Sequence, residues 1–159
     1  MFICIWCEDL QRGIGKNNSI PWKIKEEMDF FKNTTFNKTI VMGKNTFLSI
    51  KKPLINRKNI VISSTLKKDF NSEIIIYQNA KIFLKDYINS KEEIYIIGGK
   101  QIYDFFIPFS QKILVSKLKE KYNCDIFMEN NFNDFNLIET KKFNSFILEI
   151  YENKNFKKI

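Results

Sequence analysis

A chain of 159 residues with 44% hydrophobic side chains is expected to fold as one domain, 1–159, around a packed interior, and its apolar content excludes global disorder. Histidine is absent and there are three cysteines, which excludes histidine-based acid–base chemistry, Ser-His-Asp and Cys-His nucleophile pairs, histidine-ligated metals and a disulfide framework. The charge of +8, from 26 Lys+Arg against 18 Asp+Glu, suits a polyanionic ligand, whether nucleic acid, phosphorylated cofactor or polycarboxylate, although compositional bias alone also produces such lysine enrichment.

No apolar run approaches the roughly 20 residues that span a bilayer. The first residues, MFICIWCEDL, lack the basic region and cleavage site of a signal peptide. A soluble protein of a reducing compartment, with no membrane association, is the expectation.

In chain order, Phe2–Cys7 reads as a buried strand, apolar with β-branched and aromatic residues. Cys4 and Cys7 form C-x-x-C within it, and an offset of three on a strand points the thiols to opposite faces. A shared metal or a disulfide is thereby disfavoured, and the cysteines read as buried and structural. Glu8–Trp22 follows, with Gly13, Gly15, Asn17-Asn18 and Pro21. It is too long and polar for a turn, and structureless segments of this length in a compact domain tend to carry function.

Lys23–Lys32 reads as an amphipathic helix with Ile24, Met28 and Phe31 on one stripe. Lys25, Glu26, Asp29 and Lys32 fall on the solvated side. Glu27 does not: at about 100° per residue it falls between Phe31 and Phe30. A carboxylate there is costly unless something pairs with it, and the alternative is a glutamate at the stripe edge reaching solvent.

Thr39–Met42, Asn59–Ile62, Ile74–Ile76 and Ile94–Ile97 read as short apolar strands. Lys44–Ile50, Ala80–Tyr87 and Lys100–Phe106 read as helices. Alternating strand and helix with near-continuous apolar strands predicts an α/β fold, a mostly parallel sheet with helices on both faces. Lys112–Leu118, Phe135–Lys142 and Phe146–Tyr151 then predict an antiparallel C-terminal hairpin, with a turn at Asn144-Ser145.

Two junctions join strand, glycine and helix: IVM-Gly43-Lys44-Asn45-Thr46 and YII-Gly98-Gly99-Lys100. Glycine lets a ligand approach the backbone, and free N–H groups at a helix start favour phosphate. Neither matches G-x-G-x-x-G or the P-loop pattern, and each alone also reads as a tight turn. Arg57 stands out because Arg12 is the only other arginine. A guanidinium suits a carboxylate or phosphate gripped at two points, and a surface arginine before a strand is the alternative.

The long loop ending Ile20-Pro21-Trp22, Glu27 with Phe31, TIVMGKNTFLSI, the run Pro53–Ser64 and IIGGKQIY, in that order and spacing, resemble the dihydrofolate reductase family over nearly the whole chain. The resemblance implies NADPH-dependent reduction of 7,8-dihydrofolate to tetrahydrofolate, without a metal, by a cytoplasmic monomer. It implies Glu27 on the pterin amino group and ring N–H beside the Ser116 hydroxyl, with Trp22 reaching the same region through water. Ile5, Cys7, Met28, Phe31, Ser49, Ile50, Leu54, Ile97 and Tyr103 would line the substrate. Arg57 would hold the α-carboxylate of the glutamyl tail, which a polyglutamylated substrate would extend, with Lys52 nearby.

For the cofactor, the resemblance implies Cys7, Gly13, Ile14, Gly15, Asn18, Ser19 and Ile20 from the first strand and loop. Gly43, Lys44, Asn45, Thr46, Ser63, Ser64, Thr65, Gly98, Gly99, Lys100, Gln101, Ile102 and Tyr103 would hold the remainder, and the Gly98-Gly99 bond would be cis. Lys44 and Gln101 stand where arginines often grip the 2′-phosphate, and residues 66–80 receive no role. Two rivals are the pyrimidine reductase of riboflavin biosynthesis, on the same fold class, and a basic nucleic-acid-binding module. The first has no need of Glu27 and Arg57 in these places. The second lacks a stacking motif and is poor in arginine for base readout.

Overall fold

The structure, a computed structural model, describes residues 1–129 and 132–156. The strands are β1 (Phe2–Glu8), β2 (Gly13–Gly15), β3 (Thr39–Gly43), β4 (Lys58–Ile62), β5 (Ile74–Tyr77), β6 (Ile94–Ile96), β7 (Ser110–Leu118), β8 (Ile126–Phe127), β9 (Phe135–Lys142) and β10 (Phe146–Asn153). The helices are α1 (Lys25–Thr35), α2 (Lys44–Ile50), α3 (Ala80–Tyr87) and α4 (Lys100–Phe106). Boundaries move by a few residues from those expected. α1 starts at Lys25 because Ile24 is extended, with φ −116° and ψ 109°, while β7 gains Ser110 and Gln111.

Eight strands form one sheet in the order β5-β4-β3-β6-β1-β7-β10-β9. Every pair from β5 through β7 is parallel, and β10 runs antiparallel to both β7 and β9. The expected hairpin therefore inserts by its second strand, leaving β9 as an edge that is exposed at every position after Phe135. From β1 the chain crosses to β3 and works outward to β5. It then returns to fill the gap at β6 and passes over β1 to β7. The direction reverses around β6 and β1, and in open α/β sheets ligands bind outside the carboxyl ends of strands at such a reversal.

The pleat of β1 feeds two cores. Phe2, Cys4 and Trp6 join Phe83, Tyr103 and Phe106 on the α3 and α4 side. Ile3 and Ile5, with Cys7 at the margin, join Phe47, Trp22 and Leu114 on the α1 and α2 side. Phe83 and Phe106 are fully buried, each contributing about 1.5–3 kcal/mol relative to exposure. Cys4 and Cys7 are free thiols on opposite sides, as the strand offset predicts.

Two expectations are corrected. The Glu8–Trp22 segment is not structureless, for β2 pairs antiparallel with β8 in a second, two-stranded sheet. Glu26 is not on a solvated face. It is half-buried, and its Oε1 accepts the Ser145 backbone N–H at 2.8 Å, tying α1 to the hairpin turn. A one-sequence helical wheel cannot see that turn arriving.

Candidate active site

Glu27 sits in the first turn of α1, and its carboxyl comes close to Ser116 on β7 and Cys7 on β1. Burial pushes its pKa above the ordinary carboxylate range, and the Ser116 hydroxyl opposes that rise only in part. Ser116 Oγ is itself buried and makes no hydrogen bond of full geometry among the described residues. The two groups thus approach without closing a bond, leaving both with capacity for a third partner. Cys7 also lies beside Trp22, and burial, then Glu27 and Glu8, push its thiol upward, so it stays protonated.

Around this pair the structure gathers the apolar residues expected at the substrate. Ile5, Cys7, Trp22, Phe31, Ile50, Leu54 and Ile97 belong to one cluster. Met28 projects from α1 with 49% of its surface exposed, and Ser49 is exposed with its hydroxyl donating to the Thr46 carbonyl at 2.9 Å. Tyr103 lies across the sheet, buried, its hydroxyl donating to the Ile5 carbonyl at 2.8 Å. Trp6 faces that opposite side as well. Its indole N–H donates to Glu8 Oε1 at 3.0 Å, and its ring centroid is 5.1 Å from that of Tyr103.

A cleft of about 370 Å³ continues from this cluster, lined by Lys32, Phe36, Ile50, Lys52, Pro53, Leu54, Ile55, Asn56 and Arg57. Three of those side chains are cations, which suits an acidic ligand tail. The Arg57 guanidinium is fixed: Nε donates to Thr35 Oγ1 at 3.2 Å, one Nη to the Ile55 carbonyl at 2.7 Å and the other to the Lys32 carbonyl at 3.1 Å. A larger hollow of about 450 Å³, formed by Glu26, Asp29, Phe30, Asn33, Thr34 and Phe143, includes none of the expected site residues.

The two glycine junctions meet. Gly43 N–H donates to the Gly98 carbonyl at 2.8 Å, and Ile97 N–H to the Val41 carbonyl at 2.9 Å. The Gly98-Gly99 bond is cis, as the resemblance implies. Gly98 adopts φ +118°, and a Cβ there would come within 3.2 Å of the Tyr103 hydroxyl, so a side chain is refused on both counts. A Cβ on Gly43 would come within 3.2 Å of Ile102, and Thr46 Oγ1 lies 3.5 Å from where a Cβ of Gly99 would sit. Asn45 and Thr46 open α2 beside this turn, and Lys100 and Gln101 open α4. Lys100 is already paired with Asp104 at 2.6 Å.

Next to it, Lys44 Nζ donates to Thr65 Oγ1 at 2.9 Å. Ser63 Oγ accepts the Leu66 N–H at 3.0 Å and lies 3.3 Å from Thr65 Oγ1. Ser64 is exposed beside them. Ser63 N–H donates to the Tyr77 carbonyl at 2.9 Å, so the end of β5, given no role from sequence, borders this group.

The loop from Asp9 to Lys23 is stitched to residues 120–128. Asp125 N–H donates to the Gly15 carbonyl at 2.9 Å, and Asp125 Oδ2 accepts the Asn17 N–H at 2.9 Å. Gly13 and Gly15 are buried, Ile14 half-buried, and Asn18, Ser19 and Ile20 exposed at the loop tip. The sequence reading missed Asp9, Tyr122, Cys124 and Asp125. They lie more than 100 residues from their partners in the chain, and no local pattern marks them.

Glycine turns meeting at a strand-order reversal, near an apolar cluster and a half-buried carboxyl, define an open-sheet α/β protein, a class that binds ligands at the carboxyl ends of its parallel strands. The sequence model of the family described as dihydrofolate reductase matches residues 1–152. A dihydrofolate reductase of Ureaplasma parvum is 43% identical over 158 residues, covering 99% of this chain and all of that one. A chain of Mycoplasmoides gallisepticum described as segregation and condensation protein A is 43% identical over 156 residues, 97% of this chain but 26% of that longer one. In fold, the structure matches a dihydrofolate reductase from Enterococcus faecalis, solved with NADP(H) and RAB-propyl, with a TM-score of 0.87 at 24% identity over 98% of this chain and 97% of that one.

The chain belongs to the dihydrofolate reductase family. Neither rival reading from sequence is favoured by these findings.

Proposed function

We propose that the site built around Glu27 carries out the reaction that the family membership brings, the NADPH-dependent reduction of 7,8-dihydrofolate to 5,6,7,8-tetrahydrofolate. The observation that carries this reading is Glu27 itself. It is an acid with a raised pKa beside an apolar cluster, facing a buried hydroxyl that has no other partner among the described residues.

NADPH, when bound, supplies the hydride that passes to pterin C6. The residues present fit that group, for Gly43 and Gly98 are positions with no space for a side chain, and the bare backbone they leave at two helix starts suits phosphate. Lys44, with Ser63, Ser64 and Thr65, offers a cation and hydroxyls to the 2′-phosphate, and Asn45, Thr46 and the Gly98–Ile102 turn hold the other phosphates. Glu27 and Ser116 hold the pterin amino group and ring N–H. Trp22, packed beside Cys7, orders the water that brings a proton to N5. The Asp9–Lys23 loop excludes bulk water from the two rings, which strengthens every polar contact inside.

Arg57 binds the α-carboxylate of the glutamyl tail, and Lys52 and Lys32 extend the positive surface towards further glutamates. The enzyme acts as a single-domain monomer of the cytoplasm. No helix among the described residues is long and apolar enough to cross a membrane. Loss of NADPH absorbance on adding dihydrofolate, dependent on this protein and blocked by a diaminopyrimidine antifolate, tests the proposal. No dihydrofolate-dependent oxidation would refute it.

A further inference from the structure

Asp9, the first residue after β1, is 1% exposed and carries a carboxylate whose hydrogen-bond partners are all backbone donors. Its Oδ1 accepts the backbone N–H of Gln11 at 2.9 Å and of Gly13 at 2.8 Å, and its Oδ2 accepts the backbone N–H of Tyr122 at 2.9 Å. The Cys124 thiol lies beside it. Burial would raise the pKa, but these donors outweigh it and hold the group below the ordinary carboxylate range. The carboxylate therefore stays ionised wherever the protein is folded near neutral pH.

One oxygen faces the base of the loop and the other faces the 120–128 segment. Space is tight between them, since a Cβ on Gly13 would lie 2.3 Å from Cys124 Cβ. Beyond the Tyr122 N–H that Asp9 fixes, the Tyr122 ring meets the Trp22 indole edge-on, with centroids 5.3 Å apart. Trp22 is in turn buried against Cys7, next to Glu27. The hydrogen bonds of the Asp9 carboxylate go to backbone and not to Trp22, yet they fix the strand of backbone on which the ring behind Trp22 is mounted.

We propose that Asp9 is a positioning residue for the reaction: through Tyr122 it sets the placement of Trp22, and through Gln11 and Gly13 it sets the base of the loop that covers the site. The inference rests on the function proposed above for what Trp22 does, but the placement itself can be read without turnover. An isosteric amide at position 9 must turn an N–H group towards a backbone N–H on one side or the other. The loop base and the 120–128 segment can then no longer both be held.

The experiment uses the full chain with fluorotryptophan in place of its two tryptophans, so that Trp6 and Trp22 give separate fluorine NMR signals. Asp9→Asn is expected to shift or broaden the Trp22 signal and leave that of Trp6 in place. Tyr122→Leu, which removes the ring and keeps the N–H, is expected to do the same. Since both act along one path, the double variant should add nothing beyond the larger single effect. In single turnovers, hydride transfer should fall about tenfold in each, on the scale by which small misplacements slow reactions. An unmoved Trp22 signal in Asp9→Asn overturns the proposal, whatever Tyr122→Leu does, because the latter removes a ring that touches Trp22 directly. So do Trp6 and Trp22 signals moving together with a lowered melting temperature, which would mark a general loosening. A wild-type protein that fails to oxidise NADPH with dihydrofolate would sink the functional reading, while the fluorine spectra would still decide whether Asp9 governs Trp22.

Discussion

Replacing Glu27 by glutamine should make the ligand-free protein more stable and the enzyme far slower. The carboxyl belongs to no ion pair among the described residues, and the hydroxyl nearest to partnering it, Ser116 Oγ, does not close a bond there. Its folded-state pKa is raised, by burial first, with Ser116 acting the other way. Below the unfolded-state pKa the group is neutral in both states and burial of charge costs nothing. As pH rises from the unfolded-state value through the folded-state value, the destabilisation grows, and above that window it is complete.

An under-partnered buried polar group costs about 1–3 kcal/mol. The amide still bears that cost and is relieved only of the excess for charge, and Glu27 is only half-buried, so about 1 kcal/mol is the expected gain for Glu27→Gln at neutral pH. In a chain of this length that is about 2–4 °C in Tm. Thermal unfolding followed by circular dichroism, near neutral pH and again at about pH 4 where a free carboxyl begins to protonate, should show the gain at the first and its disappearance at the second. In the same variant, kcat at neutral pH should fall by about 10²–10⁴-fold, the usual worth of positioned acid–base assistance. Part of the loss should return in acid, where solvent protonates the substrate directly. A variant that melts lower at neutral pH, or whose gain is the same at both pH values, would show that the carboxyl is not held at a cost. Near-normal turnover would remove Glu27 from the reaction.

Arg57→Leu should raise KM for dihydrofolate by about 10–100-fold, the loss of a charge-assisted pair of roughly 1.5–3 kcal/mol, with little change for a pterin that lacks the glutamyl tail; equal losses would make Arg57 purely structural. Lys44→Ala should weaken NADPH by about tenfold and leave NADH unchanged, because it removes a point charge from a site that only the 2′-phosphate needs; parallel losses in titrations of the two would place the phosphate elsewhere. Gly13→Ala should lower Tm by several degrees, since its Cβ would sit 2.3 Å from Cys124 Cβ, and overpacking of this kind costs about 1–3 kcal/mol. An alanine variant that melts like the parent would mean that the 120–128 segment moves aside freely.

The sheet was legible in the sequence because its parallel strands are buried on both faces and so read as short, near-continuous apolar runs. Val41, Met42, Ile60 and Val61 are all fully buried, as that pattern predicts. Glu27 was legible for the opposite reason, as a charged side chain that helical spacing places among apolar ones. What could not be read were contacts between distant segments with no shared pattern. Ser145 reaches Glu26 across 119 residues, and Tyr122 reaches Asp9 across 113. Both are bonds from a backbone N–H, which every residue but proline carries, so the residue type at the far end conveys nothing. The β2–β8 pairing escaped for a similar reason. Gly13–Gly15 has one side chain of any size, and a strand of three residues carries too little alternation to register.

Arg57 shows why one arginine persists among so many lysines. A guanidinium has five N–H donors in one plane. The Thr35 hydroxyl and the Ile55 and Lys32 carbonyls take one donor from each of its three nitrogens, which leaves one N–H free on each terminal nitrogen. Two free N–H groups on neighbouring nitrogens suit the two oxygens of a carboxylate. The inward bonds fix the plane of the group before any ligand arrives, so little side-chain freedom remains to be lost on binding. Burial lowers the guanidinium's pKa, yet the group stays charged at any pH the protein meets. A lysine at this position has a single nitrogen. It could satisfy the carbonyls of Lys32 and Ile55 or meet the carboxylate, but its donors fan from one point and cannot do both in the geometry of a fork. Arg57→Lys should therefore lose nearly as much dihydrofolate affinity as Arg57→Leu despite keeping the charge, and binding isotherms for the two variants that differ by more than about tenfold would show that charge alone does the work.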